Sequence, residues 1–221
     1  MTNWQAFPLK KGGRMRKVKF SIILFLISTS LIFTTYGSVF AGMELRSKAK
    51  KLNEKDIKTT VKKFNFFDKI FNEGGDYTND FADNGDGTIT DQATGLMWEQ
   101  KGSDKPTSWY TAKKHVKKLK KKKFAGYKNW RIPTIEELYS LLDPQYKQLY
   151  ISPVFETKAY HCWSVDKSDF SCSLKMCDMR NRYLTIDYKK GTVSEAFTGD
   201  QPGGASVTNF RSFIRAVRSI K

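Results

Sequence analysis

Apolar positions recur along this chain at three spacings, and each spacing predicts a different kind of element. The longest apolar stretch comes first. Residues 20–43 carry no charge and centre on Ile22-Ile23-Leu24-Phe25-Leu26-Ile27, with Leu31-Ile32-Phe33 beyond a Ser28-Thr29-Ser30 interruption. At helical spacing, Trp109, Ala112, Val116 and Leu119 mark one face of a helix that Ser108 can cap. Thr134 and Glu137 form a T-x-x-E capping-box pair at the start of a second helix. Its buried face is Ile135, Leu138, Leu141 and Leu142, and Pro144 stops it. At strand spacing, Leu184, Ile186 and Tyr188 alternate with Thr185 and Asp187, as in a half-buried strand. Leu96–Glu99 after the Thr94-Gly95 turn, and Trp163-Ser164-Val165, are further strands. Gly191 turns the chain back toward Val193, and residues 212–218 are expected as a last strand closing the sheet.

Two segments are less regular. Residues 44–63 are highly charged, with Leu45, Leu52, Ile57 and Val61 in weak periodicity, so they are read as a helix or an exposed linker. The aromatic run at 64–71 is expected to pack on the domain rather than act as a membrane wedge. Asp83-Asn84-Gly85-Asp86-Gly87-Thr88 invites a calcium-loop reading. In EF-hand register, however, positions 1 and 12 fall on Ala82 and Ala93, where carboxylates are required. A β-hairpin is the better account, because Asn-Gly and Asp-Gly supply positive φ between short strands.

Charge gives the first apolar run its meaning. Lys10, Lys11, Arg14, Arg16, Lys17 and Lys19 precede it, and Val39 and Ala41 stand at the small-residue positions of a cleavage site. These are the three parts of a secretory signal, with Met1 or Met15 as its start. An uncleaved anchor is the alternative, since the run reaches the roughly 20 residues of a membrane span. Either reading puts the remainder outside the cytoplasm. The expected organisation is a signal peptide at 1–41, a charged and aromatic N-terminal extension at 42–76, and one domain at 77–221.

The formal net charge is +17, of which the leader holds six units, leaving about +11 on the exported part. That balance favours polyanionic partners, and export removes nucleic acid from their number. The three cysteines, Cys162, Cys172 and Cys177, predict one disulfide and one leftover thiol, with all three pairings open. Too few ligands accompany them for a metal site, and no cofactor is expected. The two histidines, His115 and His161, give little material for a catalytic triad. His161 and Cys162 are neighbours that a strand would point to opposite faces.

Several spaced motifs, in order, resemble the Lcl C-terminal domain family. They are residues 81–88, Thr94-Gly95-Leu96-Met97-Trp98, Gly126-Tyr127-Lys128-Asn129-Trp130-Arg131-Ile132-Pro133-Thr134, Glu136-Glu137-Leu138, Trp163-Ser164 and residues 213–218. The resemblance implies an α+β, C-type-lectin-like fold: two helices flanking a small twisted mixed sheet, with long loops. It also implies an extracellular module, with attachment to sulfated glycans. This chain lacks a Gly-X-Y tract, which puts multivalent adhesion in doubt. Gln201-Pro202-Gly203 and Asn129-Trp130-Arg131 do not reproduce the calcium-ligand motifs of sugar-binding C-type lectins. Trp98, Trp130 and Trp163 are expected to fill a core, and Arg131 to serve either as a buried ion-pair partner or as a ligand contact.

The expectation is therefore an exported, non-catalytic, calcium-independent binding module for anionic glycans or cell-surface polymers. Its candidate site is the lysine face Lys113, Lys114, Lys117, Lys118, Lys120 and Lys121. The alternatives for that face are a merely solvated helix surface and, for the protein, an envelope protein-protein interaction module. An oxidase resembling the formylglycine-generating enzymes ranks below both. Cys172 and Cys177 are spaced five apart without the surrounding pattern such an enzyme needs.

Overall fold

The computed structural model describes residues 43–156, 158–171, 181–198 and 211–220. The leader expected at 1–41, Cys172 and Cys177 lie outside them. The elements run β1 (Lys51–Leu52), α1 (Glu54–Lys63), β2 (Phe81–Asp83), β3 (Thr88–Asp91), β4 (Leu96–Glu99) and α2 (Trp109–Lys122). They continue with α3 (Ile135–Tyr139), β5 (His161–Ser168), β6 (Arg182–Asp187), β7 (Thr192–Phe197) and β8 (Val217–Ser219).

The α+β class stands, but the strands form two sheets. One is mixed, in the order β1-β5-β6-β7, with β1 parallel to β5; the other is antiparallel, in the order β2-β3-β4-β8. The segment expected as one final strand divides its bonds between them. Phe213 N donates to His161 O at 2.7 Å in the first sheet, while Val217 and Ser219 pair with Trp98 and Leu96 in the second. One closing strand thus becomes a stitch between two sheets.

Among the described residues there are three α-helices rather than two. The additional one, α1, is capped at both turns of its capping box: Asn53 accepts from Asp56 N, and Asp56 accepts from Asn53 N. Only Ile57 and Val61 of α1 are buried, which is why its periodicity is weak in the sequence. The two predicted helices start at Ser108 and Thr134 as expected. α3 is shorter than its apolar pattern, since Leu141 and Leu142 are buried beyond its end.

The hairpin reading of residues 83–91 holds, with β2 and β3 antiparallel and Gly85 and Gly87 at φ +72° and +85°. Trp98, Trp130 and Trp163 are fully buried, so they serve the core. Of the run at 64–71, Phe66 and Phe67 pack in the core as expected, whereas Ile70 stays exposed. β6 departs from its half-buried pattern, because Thr185 is buried against His161 and Ser194. Cys162 is a free, fully buried thiol bonded to Ala159 O at 3.3 Å, so the predicted disulfide does not include it. The reason is enclosure: β6 flanks it on one side and Phe213 bridges to it on the other.

Candidate functional site

The lysine helix is fixed from below before its surface can be considered. Ser108 Oγ accepts from Thr111 N, and Trp109, Ala112, Val116 and Leu119 face inward. The Trp109 ring lies 4.1 Å from that of Tyr183 and 5.6 Å from that of Trp163, centroid to centroid. His115 Nε2 stands 2.9 Å from both carboxylate oxygens of buried Glu99, tying the helix to β4. The helix ends in a left-handed residue, Lys123, and Trp130 Nε1 donates to Phe124 O at 3.0 Å just beyond. With these contacts inward, all six candidate lysines are exposed.

The structure divides the six into two stripes. Lys113, Lys117 and Lys120 line an open groove of about 340 Å³, while Lys114, Lys118 and Lys121 lie outside its lining. Lys114 Nζ sits 4.4 Å, and Lys113 Nζ 5.9 Å, from the centre of the exposed Tyr110 ring. Half-buried Val116-adjacent side chains Ile132 and Val165 form the floor together with Val116 itself, and Arg131 completes that side. The floor is positioned by backbone bonds: Arg131 N to Val217 O at 2.8 Å, and Val165 N to Pro133 O at 2.7 Å.

The opposite wall is an extended strap around residues 46–50, contributing Ser47 and Ala49. The strap is pinned on Asp166, whose buried carboxylate accepts from Arg46 Nη1 and Nη2 at 2.7 and 2.6 Å and from Lys50 N at 2.7 Å. A fourth donor, Ile135 N at 2.7 Å, comes from the first residue of α3. Burial of the Arg46 guanidinium opposes its charge, but the bond and charge of Asp166 outweigh this and hold it above its ordinary value.

Electrostatically, the groove is unbalanced. The acids bonded to its floor and strap are already engaged: Glu137 forms two bonds to Arg131, and Asp166 and Glu136 hold Arg46. None of the six lysines has an ion-pair partner among the described residues. The arrangement offers three lysines in a row, without an ion-pair partner among the described residues, beside an apolar floor, which suits a chain that is anionic along one edge.

Other candidates are more fully tied up. His161 bonds Ser194 and Thr185 through Nε2 and Ser212 through Nδ1, at 2.9–3.0 Å. Its pKa is lowered, first by burial, and its bonding partners among the described residues are all hydroxyls. The Cys162 thiol is pushed up to about 12, chiefly by burial, which makes it a poor nucleophile. Among the described residues no group of three or more His, Cys, Asp or Glu side chains converges as a metal site requires. No helix among them is long and apolar enough to cross a membrane.

The model of the Lcl C-terminal domain family matches residues 87–217. The chain belongs to this family. No curated protein and no solved structure matches it. The matched stretch of the Lcl C-terminal domain holds the lysine wall and floor of the groove, whereas the strap precedes it. Sequence reasoning missed Ser47, Ala49, Ile132 and Val165, and left Arg131 with two possible roles. Of those roles the structure supplies the ion pair, to Glu137. One signal was available: Lys113, Lys117 and Lys120 repeat at i, i+4 and i+7, which puts them on one face.

Proposed function

We propose that this member of the Lcl C-terminal domain family is an exported, non-catalytic module that binds anionic glycans or cell-surface polymers, independently of calcium. The observation that carries the reading is the row of Lys113, Lys117 and Lys120 on one groove, with the carboxylates bonded to its floor and strap already paired. The apolar floor of Val116, Ile132 and Val165 suits the ring face of a sugar, and the lysines suit its sulfate or phosphate groups. Export rests on the leader at 1–41. The C-type-lectin-like arrangement belongs to the same reading, supported by two small sheets, few helices and a long connection between α3 and β5.

Retention on heparin resin in rising salt tests it. The parent protein elutes late, and K113Q/K117Q/K120Q elutes markedly earlier. The control K114Q/K118Q/K121Q removes the same charge from outside the groove and shifts elution less. Equal shifts for the two triple variants would reduce the site to bulk charge. Early elution of the parent, unchanged by either triple, would remove the polyanion reading altogether.

A further inference from the structure

The most exposed large apolar side chain among the described residues does not belong to the groove. Ile70 is 70% exposed and stands at the apex of a turn between α1 and β2. That turn is held firmly. Asp68 and Asn72 exchange backbone hydrogen bonds of 3.2 and 2.9 Å across its base. The Asp68 carboxylate is fully buried, and its Oδ1 accepts from Ile70 N and Phe71 N, both at 2.8 Å. Its Oδ2 accepts the Tyr139 and Thr192 hydroxyls at 2.8 and 2.9 Å. Taking a carboxylate out of water is tolerable only with such a full set of donors. Here the set fixes the backbone of a turn whose tip is an aliphatic side chain in solvent.

Positive charge gathers around this tip. Lys69 N donates to Gly191 O at 2.9 Å, which joins the turn to the neighbouring β6–β7 turn and its exposed Lys189 and Lys190. Asn72 Nδ2 donates to Asn65 Oδ1 at 3.1 Å, which brings up the end of α1 with exposed Lys62 and Lys63. Besides Asp68, the acids on the same segments are Glu73 and Asp76, bonded to Lys69 and Asn65, and half-buried Asp187, which accepts from Lys189 N and Lys190 N; the exposed lysines outnumber them.

We infer that this tip docks on a membrane surface rich in anionic lipid, with Ile70 entering the acyl boundary and the lysines meeting headgroup phosphates. An aliphatic tip with exposed lysines on the adjoining turn and helix end needs no shape-matched pocket. It does match an interface that is apolar at its centre and negatively charged at its surface. Lysine stems can lie along the apolar boundary while their ammonium groups remain in the headgroup layer. The surface is separate from the groove and does not depend on glycan binding.

The test uses the full chain with vesicles of phosphatidylcholine, with or without phosphatidylglycerol, whose acyl chains carry bromine as a quencher. Parent protein sets the background from its own tryptophans and from any contribution of the leader. The indole introduced by I70W should be quenched beyond that background on phosphatidylglycerol vesicles, much less on pure phosphatidylcholine, and less as salt rises. K189Q/K190Q in the same background should weaken the effect, by about fivefold in partition for each lysine lost. K113Q/K117Q/K120Q should leave it intact. No quenching beyond the parent, equal quenching on both lipids, or loss of quenching with the groove variant would each overturn the proposal.

Discussion

At the scale of single residues, the charges that matter most to this fold are the ones taken out of solvent. Asp166 has no exposed side-chain surface and receives four donors, two of them from Arg46. D166A leaves the mostly enclosed Arg46 uncompensated, so it should cost about 3 kcal/mol in urea unfolding. D166N keeps the shape and some of the acceptors and should cost less. His161 makes a second prediction, in pH. Burial lowers its folded pKa, so the unfolded chain binds the extra proton first as pH falls. The neutral imidazole therefore contributes stability that is present above about pH 6.5 and lost as pH drops below it. Asp91 acts with the opposite sign, because burial raises its carboxyl above 3.8 and folding then favours the protonated form. The informative measurement is the difference between parent and H161Q stability curves, which should narrow steadily from pH 7 toward pH 5 if the parent alone carries the His161 term. None of these buried partnerships could be read from the sequence. Asp166 and Arg46 are 120 positions apart, and nothing in local spacing says which acids converge.

At the scale of elements, most of what was legible came from caps and from apolar spacing, because both are local. Ser108 and the Thr134–Glu137 box announce their helices within four residues of chain. S108A should cost about 1 kcal/mol by leaving Thr111 N without its acceptor, and S108G only a few tenths. Chemical denaturation of the two variants checks the order. The strap is the counterexample. Residues 44–63 divide into an extended segment, a two-residue strand and a ten-residue helix, and their inward positions are too few to give one period. Half of the groove was thus hidden: the lysine wall shows as a run of charge, but Ser47 and Ala49 carry no chemical signal. They reach the groove because Arg46 and Lys50 are both bonded to Asp166, with further bonds from Arg46 N to Glu136, from Thr134 Oγ1 to Arg46 O and from Lys167 N to Lys50 O. R46Q should therefore weaken heparin retention without removing any groove lysine. The same variant should leave the near-UV spectrum of the tryptophan-rich core unchanged if the effect is confined to the strap.

At the scale of the whole molecule, the C-terminal segment is bonded to both sheets. Phe213 bonds His161 and Trp163 in the mixed sheet, and Val217 bonds Arg131 and pairs with Trp98 of the antiparallel sheet. Between them Arg215 is fully buried, donating to the carbonyls of Glu99 and Gln100 on one side and of Glu156 on the other. If this segment makes the two sheets one cooperative unit, loosening it should open the core as a whole. Cys162 is a built-in reporter of that opening. Its thiol is fully buried, has a pKa pushed up to about 12, and is bridged by Phe213, so alkylation must await unfolding around it. F213A removes a nearly buried aromatic ring and should cost about 3 kcal/mol. In the fast-reclosing regime this raises Cys162 alkylation about a hundredfold, read by peptide mass mapping after a timed pulse. S108A, at the start of α2 and next to the Thr107–Ser212 bridge, should raise it about fivefold, in proportion to its own cost. A proportional response at both sites identifies one cooperative unit. Acceleration by F213A with none from S108A would mean that the segment near Cys162 opens separately, and that the stitch does not couple the sheets.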